Sequence, residues 1–118
     1  MRASRARDRQ AEEEAKRRAA ANERQQRRAF QQAVQEIVAA LGEKEPRSQA
    51  TIERSVAALG VEAAQALRHE VEGIEAGGGM MTVDGSRRRT PGGVYLLLFK
   101  QRMNEAGRKD ELKKIISG

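Results

Sequence analysis

The feature that most constrains the fold is a set of apolar residues at helical spacing, which begins at Phe30. Between Arg2 and Ala29 the only apolar side chain is that of alanine. The next five large apolar residues fall at positions i, i+4, i+7, i+8 and i+11: Phe30, Val34, Ile37, Val38 and Leu41. This spacing puts them on one face of an α-helix. Gly42 follows where a left-handed C-terminal cap belongs, so we predict a half-buried helix over residues 30–41.

Two further stripes of apolar residues predict two more helices. The second stripe ends at Gly60, and Ser48 stands where an N-cap is expected. The third stripe ends at Gly77-Gly78-Gly79, a run that no helix would carry across. The second helix has Ile52, Val56 and Leu59, and the third has Val61, Ala64, Leu67, Val71 and Ile74.

Residues 94–99, Val-Tyr-Leu-Leu-Leu-Phe, have the composition of a buried strand, but we predict a helix there. Thr90-Pro91 is an N-cap followed by proline at the first helical position, and the sequence has no second strand to pair with. The helix would run to about Asn104 and end before Gly107. A last amphipathic piece follows, which either docks on the bundle or mediates self-association through Leu112, Ile115 and Ile116.

The fold class expected from these elements is all-α, a compact small bundle of about five helices with a projecting basic arm. We place the arm at residues 1–29, helical or disordered. The helical domain spans 30–104, and the C-terminal amphipathic segment spans 105–118.

Positive charge is concentrated at the two sides of an acidic middle. The 118 residues carry 23 Lys+Arg against 17 Asp+Glu, a formal net charge of +6. Residues 1–30 hold ten basic and five acidic side chains, and residues 31–83 hold four basic residues against eight Glu. Residues 84–102 hold five basic residues and one acid. This segregation favours an anionic partner surface, although the arm alone fits either a solubilising tail or an RNA-binding one.

The composition excludes several classes of function. The absence of Cys rules out disulfides, thiolate zinc sites and thiol nucleophiles. Aromatic residues make up only 3%, which disfavours modules that stack bases on several rings. His69, the one histidine, is expected to be a solvated surface residue. We therefore expect no enzyme, cofactor, metal site or small-molecule substrate. The sequence has no apolar run long enough to span a membrane and no signal peptide, so we expect an intracellular protein, cytoplasmic or organellar and not secreted.

Residues 85–95 carry the binding chemistry. Three arginines, Arg87 to Arg89, precede a predicted helix start, and each offers a planar fork of donors suited to phosphate. Pro91 has no N–H, so the first-turn donors would come from Gly92, Gly93 and Val94, at the positive end of the helix dipole. The alternative is that Thr-Pro-Gly-Gly only starts a tightly packed helix and that the arginines pair with the acidic middle.

Two segments of the chain are similar to one known family. The first is Gly78-Gly79-Met80-Met81, followed by Asp84 to Tyr95 with Leu96, Leu98 and Lys100. The second, upstream, consists of Ile52 to Gly60, Ala64, Leu67, Glu70, Glu72, Ile74 and Glu75. Together they resemble the RNA-binding domain of the phosphorylated adapter for RNA export, over about residues 30–104. The resemblance implies a compact all-α fold that binds single-stranded RNA. Since the chain has no Leu-spaced export signal and no long phosphorylatable acidic segment, we expect a free-standing bacterial or organellar version without the export role.

The function we predict is single-stranded RNA binding through phosphate contacts with low sequence specificity, as a stand-alone RNA chaperone or adapter. The expected binding residues are Arg87, Arg88, Arg89, Thr90, Gly92, Gly93, Tyr95 and Lys100. Tyr95 either stacks on a base or is buried with its hydroxyl bonded, and at most one of Lys100 and Arg102 joins the site because they do not share a helix face. The rival is a protein-interaction module that uses the acidic helical face and the C-terminal apolar stripe. Double-stranded DNA ranks lower, because no helix presents base-reading side chains.

Overall fold

The computed structural model describes residues 2–117, with the side chain of Arg2 excepted, and this part of the chain is all-α. The prediction of a five-helix fold is confirmed. The helices are α1 (Arg2–Leu41), α2 (Pro46–Leu59), α3 (Val61–Ala76), α4 (Pro91–Glu105) and α5 (Lys109–Ser117).

Helix α1 is both the arm and the first helix of the bundle. Its last turns bury Ala33, Ile37 and Leu41, whereas the side chains from Ala3 to Ala19 are all exposed. Because the arm continues a packed helix, it carries no separate cost of nucleation, and Arg, Gln, Glu and Ala are good helix formers. Residues 2–29 therefore extend about 40 Å from the bundle. They account for the longest dimension of the molecule, 78 Å against 28 and 24 Å.

The core lies where α2, α3 and α4 meet the end of α1. Its largest fully buried side chains include Tyr95 and Phe99 from α4, Ile37 from α1, Ile52 from α2 and Leu67 from α3. The apolar run at 94–99 is thus a buried helix, as its N-cap and the lack of a partner strand predicted.

Helix α5 docks on the bundle. Leu112 and Ile115 belong to the same buried core as α4, and only Ile116 of the predicted stripe is well exposed, at 46%. Arg108, just before α5, donates to the carbonyl oxygen of Ala58 at 3.0 Å and ties the segment to α2. Of the two alternatives for this segment, docking is therefore the one observed.

The helix starts follow the sequence signals in one case and depart from them in another. The Thr90 hydroxyl accepts the Gly93 N–H at 3.1 Å, which confirms Thr90 as the N-cap with Pro91 in the first turn. The prediction of Ser48 as an N-cap was wrong, since α2 already begins at Pro46. Pro46 has its φ fixed near the helical value, and it lacks the N–H that would be left unpaired in a first turn. The helix therefore begins at Pro46 although the side chain of its N-cap residue, Glu45, makes no capping hydrogen bond.

No helix within residues 2–117 is long and apolar enough to cross a membrane.

Candidate nucleic-acid interface

The three arginines lie on one side of the segment between α3 and α4, residues 77–90, which we call the arginine loop. The loop folds back on itself like a short hairpin. The Arg89 N–H donates to the Met80 carbonyl at 2.6 Å, and the Thr82 N–H donates to the Arg87 carbonyl at 2.8 Å. An isolated antiparallel bridge pairs Met81 with Arg88. The backbone that carries the arginines is thus fixed by its own loop, a pairing that the sequence analysis did not predict.

Asp84 fixes the tip of the arginine loop. Its carboxylate accepts the Thr82 hydroxyl at 2.7 Å, the Ser86 hydroxyl at 2.8 Å and the Ser86 N–H at 3.1 Å. These hydrogen bonds, first that from Thr82, lower the pKa of Asp84 from 3.8 to about 2, because they favour the charged form. Gly85 follows with a φ of +73°, which confirms the predicted Asp-Gly turn.

Arg88 is held on the surface of the loop by an acid from α3. Its guanidinium forms an ion pair with Glu75 and passes directly over Gly79. A Cβ on Gly79 would lie only 2.7 Å from the Arg88 Cζ, and Gly79 has a φ of +85°, so both the space and the backbone require glycine there. The alternative in which acids of the middle segment neutralise the arginines is thus observed for one of the three.

Arg87 and Arg89 make no ion pair with any of the acids that the structure describes. The Arg87 side chain is exposed. Arg89 is half-buried, and its Nε donates to the backbone carbonyl of Met81 at 3.2 Å, which orients the guanidinium without neutralising it. Two of the three arginines thus keep an uncompensated positive charge.

The arginine loop and the start of α4 enclose a cleft of about 230 Å³, which we call the arginine cleft. It is lined by Thr82, Arg87, Arg88, Arg89, Thr90 and Gly93. Five of these six positions are among the predicted binding residues. The structure therefore gathers most of the predicted set around one open, cationic depression.

The start of α4 offers fewer free donors than the sequence suggested. The Gly93 N–H donates to the Thr90 hydroxyl, and the Val94 N–H donates to the Thr90 carbonyl at 3.0 Å. Two of the three donors expected for an anion are therefore used by the N-cap itself. Gly92 is the remaining first-turn residue with an N–H, and it is buried. The prediction that Gly92 and Gly93 together present open N–H groups was wrong on this point, because capping by Thr90 had not been counted against them.

Glu43, between α1 and α2, covers Gly92. Its Oε1 lies 2.6 Å from the position that a Cβ on Gly92 would take. A carboxylate beside a helix N-terminus interacts favourably with the helix dipole. The chain thus supplies its own anion at the spot where the sequence analysis had expected a ligand, and the cleft beside it is lined by Gly93 rather than Gly92.

Tyr95 lies in the core and not at the surface. It is fully buried, and its hydroxyl is 2.7 Å from the hydroxyl of Ser55 on α2. Burial raises its pKa. Of the two alternatives for Tyr95, the buried one is observed, so the ring is not available to stack on a base.

The two basic residues farther along α4 differ in their surroundings. Arg102 forms a salt bridge with Glu70 on α3 at 2.5 Å. Lys100 is exposed, and it lies seven residues after Gly93, which puts the two on one helix face about 10 Å apart along the axis. Of Lys100 and Arg102, Lys100 is therefore the residue that can extend the arginine cleft. His69 on α3 is exposed to solvent, as expected.

Three residues of this region were not predicted from the sequence. Thr82 lines the cleft, Glu43 shields Gly92, and Val83 stands at the loop tip with 96% of its surface exposed. None of them belongs to a periodic pattern. The place of Val83 next to the predicted Asp84-Gly85 turn was the one available signal, because Gly, Pro, Asn, Asp and Ser are the residues that dominate turns.

These features define the class of the protein as a small helical domain with a cationic surface cleft. The comparison with known families then identifies it, since residues 33–117 match the model of the phosphorylated adapter RNA export protein, RNA-binding domain. The match covers most of the chain, and the protein belongs to this family.

Individual relatives match a shorter segment. The phosphorylated adapter RNA export protein of Gallus gallus is 49% identical over 49 residues, which is 42% of this chain and 12% of the chicken protein. The proteins of Rattus norvegicus and Mus musculus with the same description are also 49% identical over 49 residues, 13% of their length. The matched segment is thus a small part of each relative. No solved structure is significantly similar to the chain.

Proposed function

We propose that this protein binds single-stranded RNA through phosphate contacts at the arginine cleft, with low sequence specificity, as an RNA chaperone or adapter. Membership of an RNA-binding domain family supports RNA as the ligand. The observation that carries the choice of site is the pair Arg87 and Arg89, two arginines that line one open cleft and have no carboxylate partner among the described side chains.

The cleft suits a phosphodiester in charge and in shape. Guanidinium forks bind phosphate oxygens in a bidentate manner and keep their charge at any physiological pH. Gly93 lines the cleft without a side chain to obstruct it, and Thr90 lines the cleft beside it. Arg88, already bound to Glu75, holds the loop in place.

Low sequence specificity follows from what the surface lacks. Two of the three aromatic rings, Tyr95 and Phe99, are fully buried, and Phe30 packs against the core. Without exposed rings, bases cannot be held by aromatic stacking, and contacts to phosphate and sugar carry no sequence information. Lys100 supplies a further phosphate contact, farther along α4. Three contacts, from Arg87, Arg89 and Lys100, predict that log K falls with log salt at a slope of about −2.

The experiment is fluorescence anisotropy with a labelled oligouridine at several salt concentrations. The variant Arg87→Gln/Arg89→Gln should lose about tenfold or more in affinity and flatten the salt slope by about 1.4, since each contact contributes about 0.7. The matched control is Lys109→Gln/Lys113→Gln, which removes the same charge from exposed positions of α5.

Equal losses in the two double variants would contradict the assignment of the cleft, since they would reflect net charge alone. Wild-type protein that stays folded and shows no RNA signal would contradict the function itself and favour a protein partner. The rival protein-interaction module has lost part of its basis, because Leu112 and Ile115 of its apolar stripe are buried in the core.

A further inference from the structure

The arm portion of α1 has a basic face that its overall composition conceals. Successive residues of an α-helix are rotated by about 100° around its axis. When residues 6–28 are placed around the axis in this way, the basic residues concentrate in an arc of roughly 120°. The arc holds six basic residues and one acid, Glu13. The six basic residues, which we call the arm basic face, are Arg9, Lys16, Arg17, Arg24, Arg27 and Arg28. The rest of the surface holds two basic residues, Arg7 and Arg18, against four acids.

The two sides of the arm also differ in how their charges are used. Every side chain of the arm basic face is exposed, and none forms a salt bridge with an acid in the part of the chain that the structure describes. On the other side, Arg18 and Glu14 form an i,i+4 pair at 4.0 Å. A solubilising tail needs no such segregation, whereas a polyanion is attracted by a continuous unpaired row of cations.

The dimensions of the face match an extended ligand. Arg9 and Arg28 are about 30 Å apart along a straight helix. Residues 3–29 contain no apolar side chain larger than alanine, so the arm lacks the Trp, Phe or Leu stripe with which basic helices insert into a bilayer. The charge and length therefore favour a nucleic-acid backbone over a membrane surface.

The arginine cleft lies beyond the other end of α1. Glu43, directly after α1, contacts Gly92 at the start of α4, and Arg28 lies about 20 Å before Leu41 along the helix axis. We propose that the arm basic face binds the phosphate backbone of the same single strand that the cleft holds, as a second and separate contact region. This inference rests on the proposed function and adds a length requirement to it: short strands reach only the cleft, and long strands engage both.

The arm itself provides a matched pair of variants. Lys16→Gln/Arg17→Gln/Arg24→Gln removes three charges from the arm basic face. Arg5→Gln/Arg7→Gln/Arg18→Gln removes three charges of the same helix that lie outside the arm basic face. Glutamine is a good helix former, so both triple variants should keep the helix, which circular dichroism would check.

Anisotropy would be measured on the full chain with short and long oligouridine strands. For the long strand we expect the on-face triple to lower the affinity by about 10- to 100-fold at low salt and to reduce the salt slope by about 2, while the off-face triple changes the slope little. For the short strand both triples should bind nearly as the wild type does.

Equal losses from the two triple variants on the long strand would overturn the proposal, because net charge alone would then explain them. It would also fail if the on-face triple weakened binding of duplex RNA but not of the long single strand. An on-face triple that binds the long strand normally, beside an Arg87→Gln/Arg89→Gln variant that does not, would remove the arm and keep the cleft. If neither variant loses affinity, the proposed function fails as well.

Discussion

The carboxylate of Glu43 and the bare Cα of Gly92 lie against each other at the start of α4, with Oε1 2.6 Å from where a Cβ would stand. This contact joins the α1–α2 connection to the helix that borders the arginine cleft. It places a negative charge beside the site proposed for phosphate. The contact therefore opposes ligand binding while it stabilises the free helix end.

Glu43→Gln should separate these two effects. Removing the charge should raise the affinity for oligouridine about two- to fivefold, because one repulsive charge within several ångströms costs on the order of 0.5–1 kcal/mol at the surface. The free energy of unfolding should fall by about 0.3–1 kcal/mol, since the helix dipole loses its partner. Urea denaturation and anisotropy measure the two quantities. Glu45→Gln, an exposed neighbour, is the control, and an equal gain in affinity from both variants would show that the position of Glu43 is unimportant.

Two glycine substitutions should change the free energy of unfolding in opposite directions. Gly79→Ala should lower the free energy of unfolding by at least about 1–2 kcal/mol, because its φ of +85° is strained for alanine and the new methyl group meets the Arg88 guanidinium. Gly73→Ala, inside α3 with open space around its Cα, should raise the free energy by about 0.5–1 kcal/mol. Urea denaturation gives both values.

RNA binding distinguishes the two glycine variants further. Gly79→Ala should also weaken RNA binding, since Arg88 can no longer lie over the loop against Glu75, while Gly73→Ala should leave it unchanged. If Gly79→Ala proved as stable as the wild type, the described path of Arg88 over Gly79 would be incorrect.

The helices could be predicted from the sequence, but most contacts of their polar side chains with other elements could not. Apolar spacing and Gly or Pro boundaries are local signals, and they located the bundle and the N-cap at Thr90. The N–H groups used by the Thr90 cap lie within one turn of it and could have been counted from the sequence. The contact between Glu43 and Gly92, in contrast, depends on elements that meet only in the folded chain. Tyr95 illustrates the same limit, because its sequence neighbours are compatible with a buried ring and with an exposed one. Likewise, the sequence could not show that Arg88 pairs with Glu75 while Arg87 and Arg89 do not, because this depends on the hairpin-like pairing of the loop.

The tip of the arginine loop should be insensitive to moderate acid. Asp84 has a folded-state pKa of about 2, below its ordinary value of 3.8, so its hydrogen bonds contribute fully above pH 3.8 and are lost as the pH falls through about 2. An NMR titration of the Asp84 carboxyl carbon should give a midpoint near 2, and the Ser86 amide resonance should move with it. A midpoint near 3.8 would mean that the three hydrogen bonds do not persist in solution.

The hydroxyl pair of Ser55 and Tyr95 should behave as one buried unit without any role in RNA binding. The Ser55 hydroxyl is 2.6 Å from the Ile52 carbonyl, to which it donates, so the Tyr95 hydroxyl is the donor across the 2.7 Å contact. Tyr95→Phe should cost about 1 kcal/mol of unfolding free energy, and Ser55→Ala about 1–3 kcal/mol, because it leaves a buried hydroxyl without a partner.

The double variant Ser55→Ala/Tyr95→Phe should cost less than the sum of the two single variants, since neither leaves the other's group unpaired. Urea denaturation of the four proteins closes the cycle. Anisotropy should give the wild-type affinity for Tyr95→Phe, and for the less conservative Tyr95→Leu as well, provided that it folds. If a Tyr95→Leu protein that is fully folded under the assay conditions lost RNA binding, the ring would belong to the binding site, and its position in the core would be contradicted.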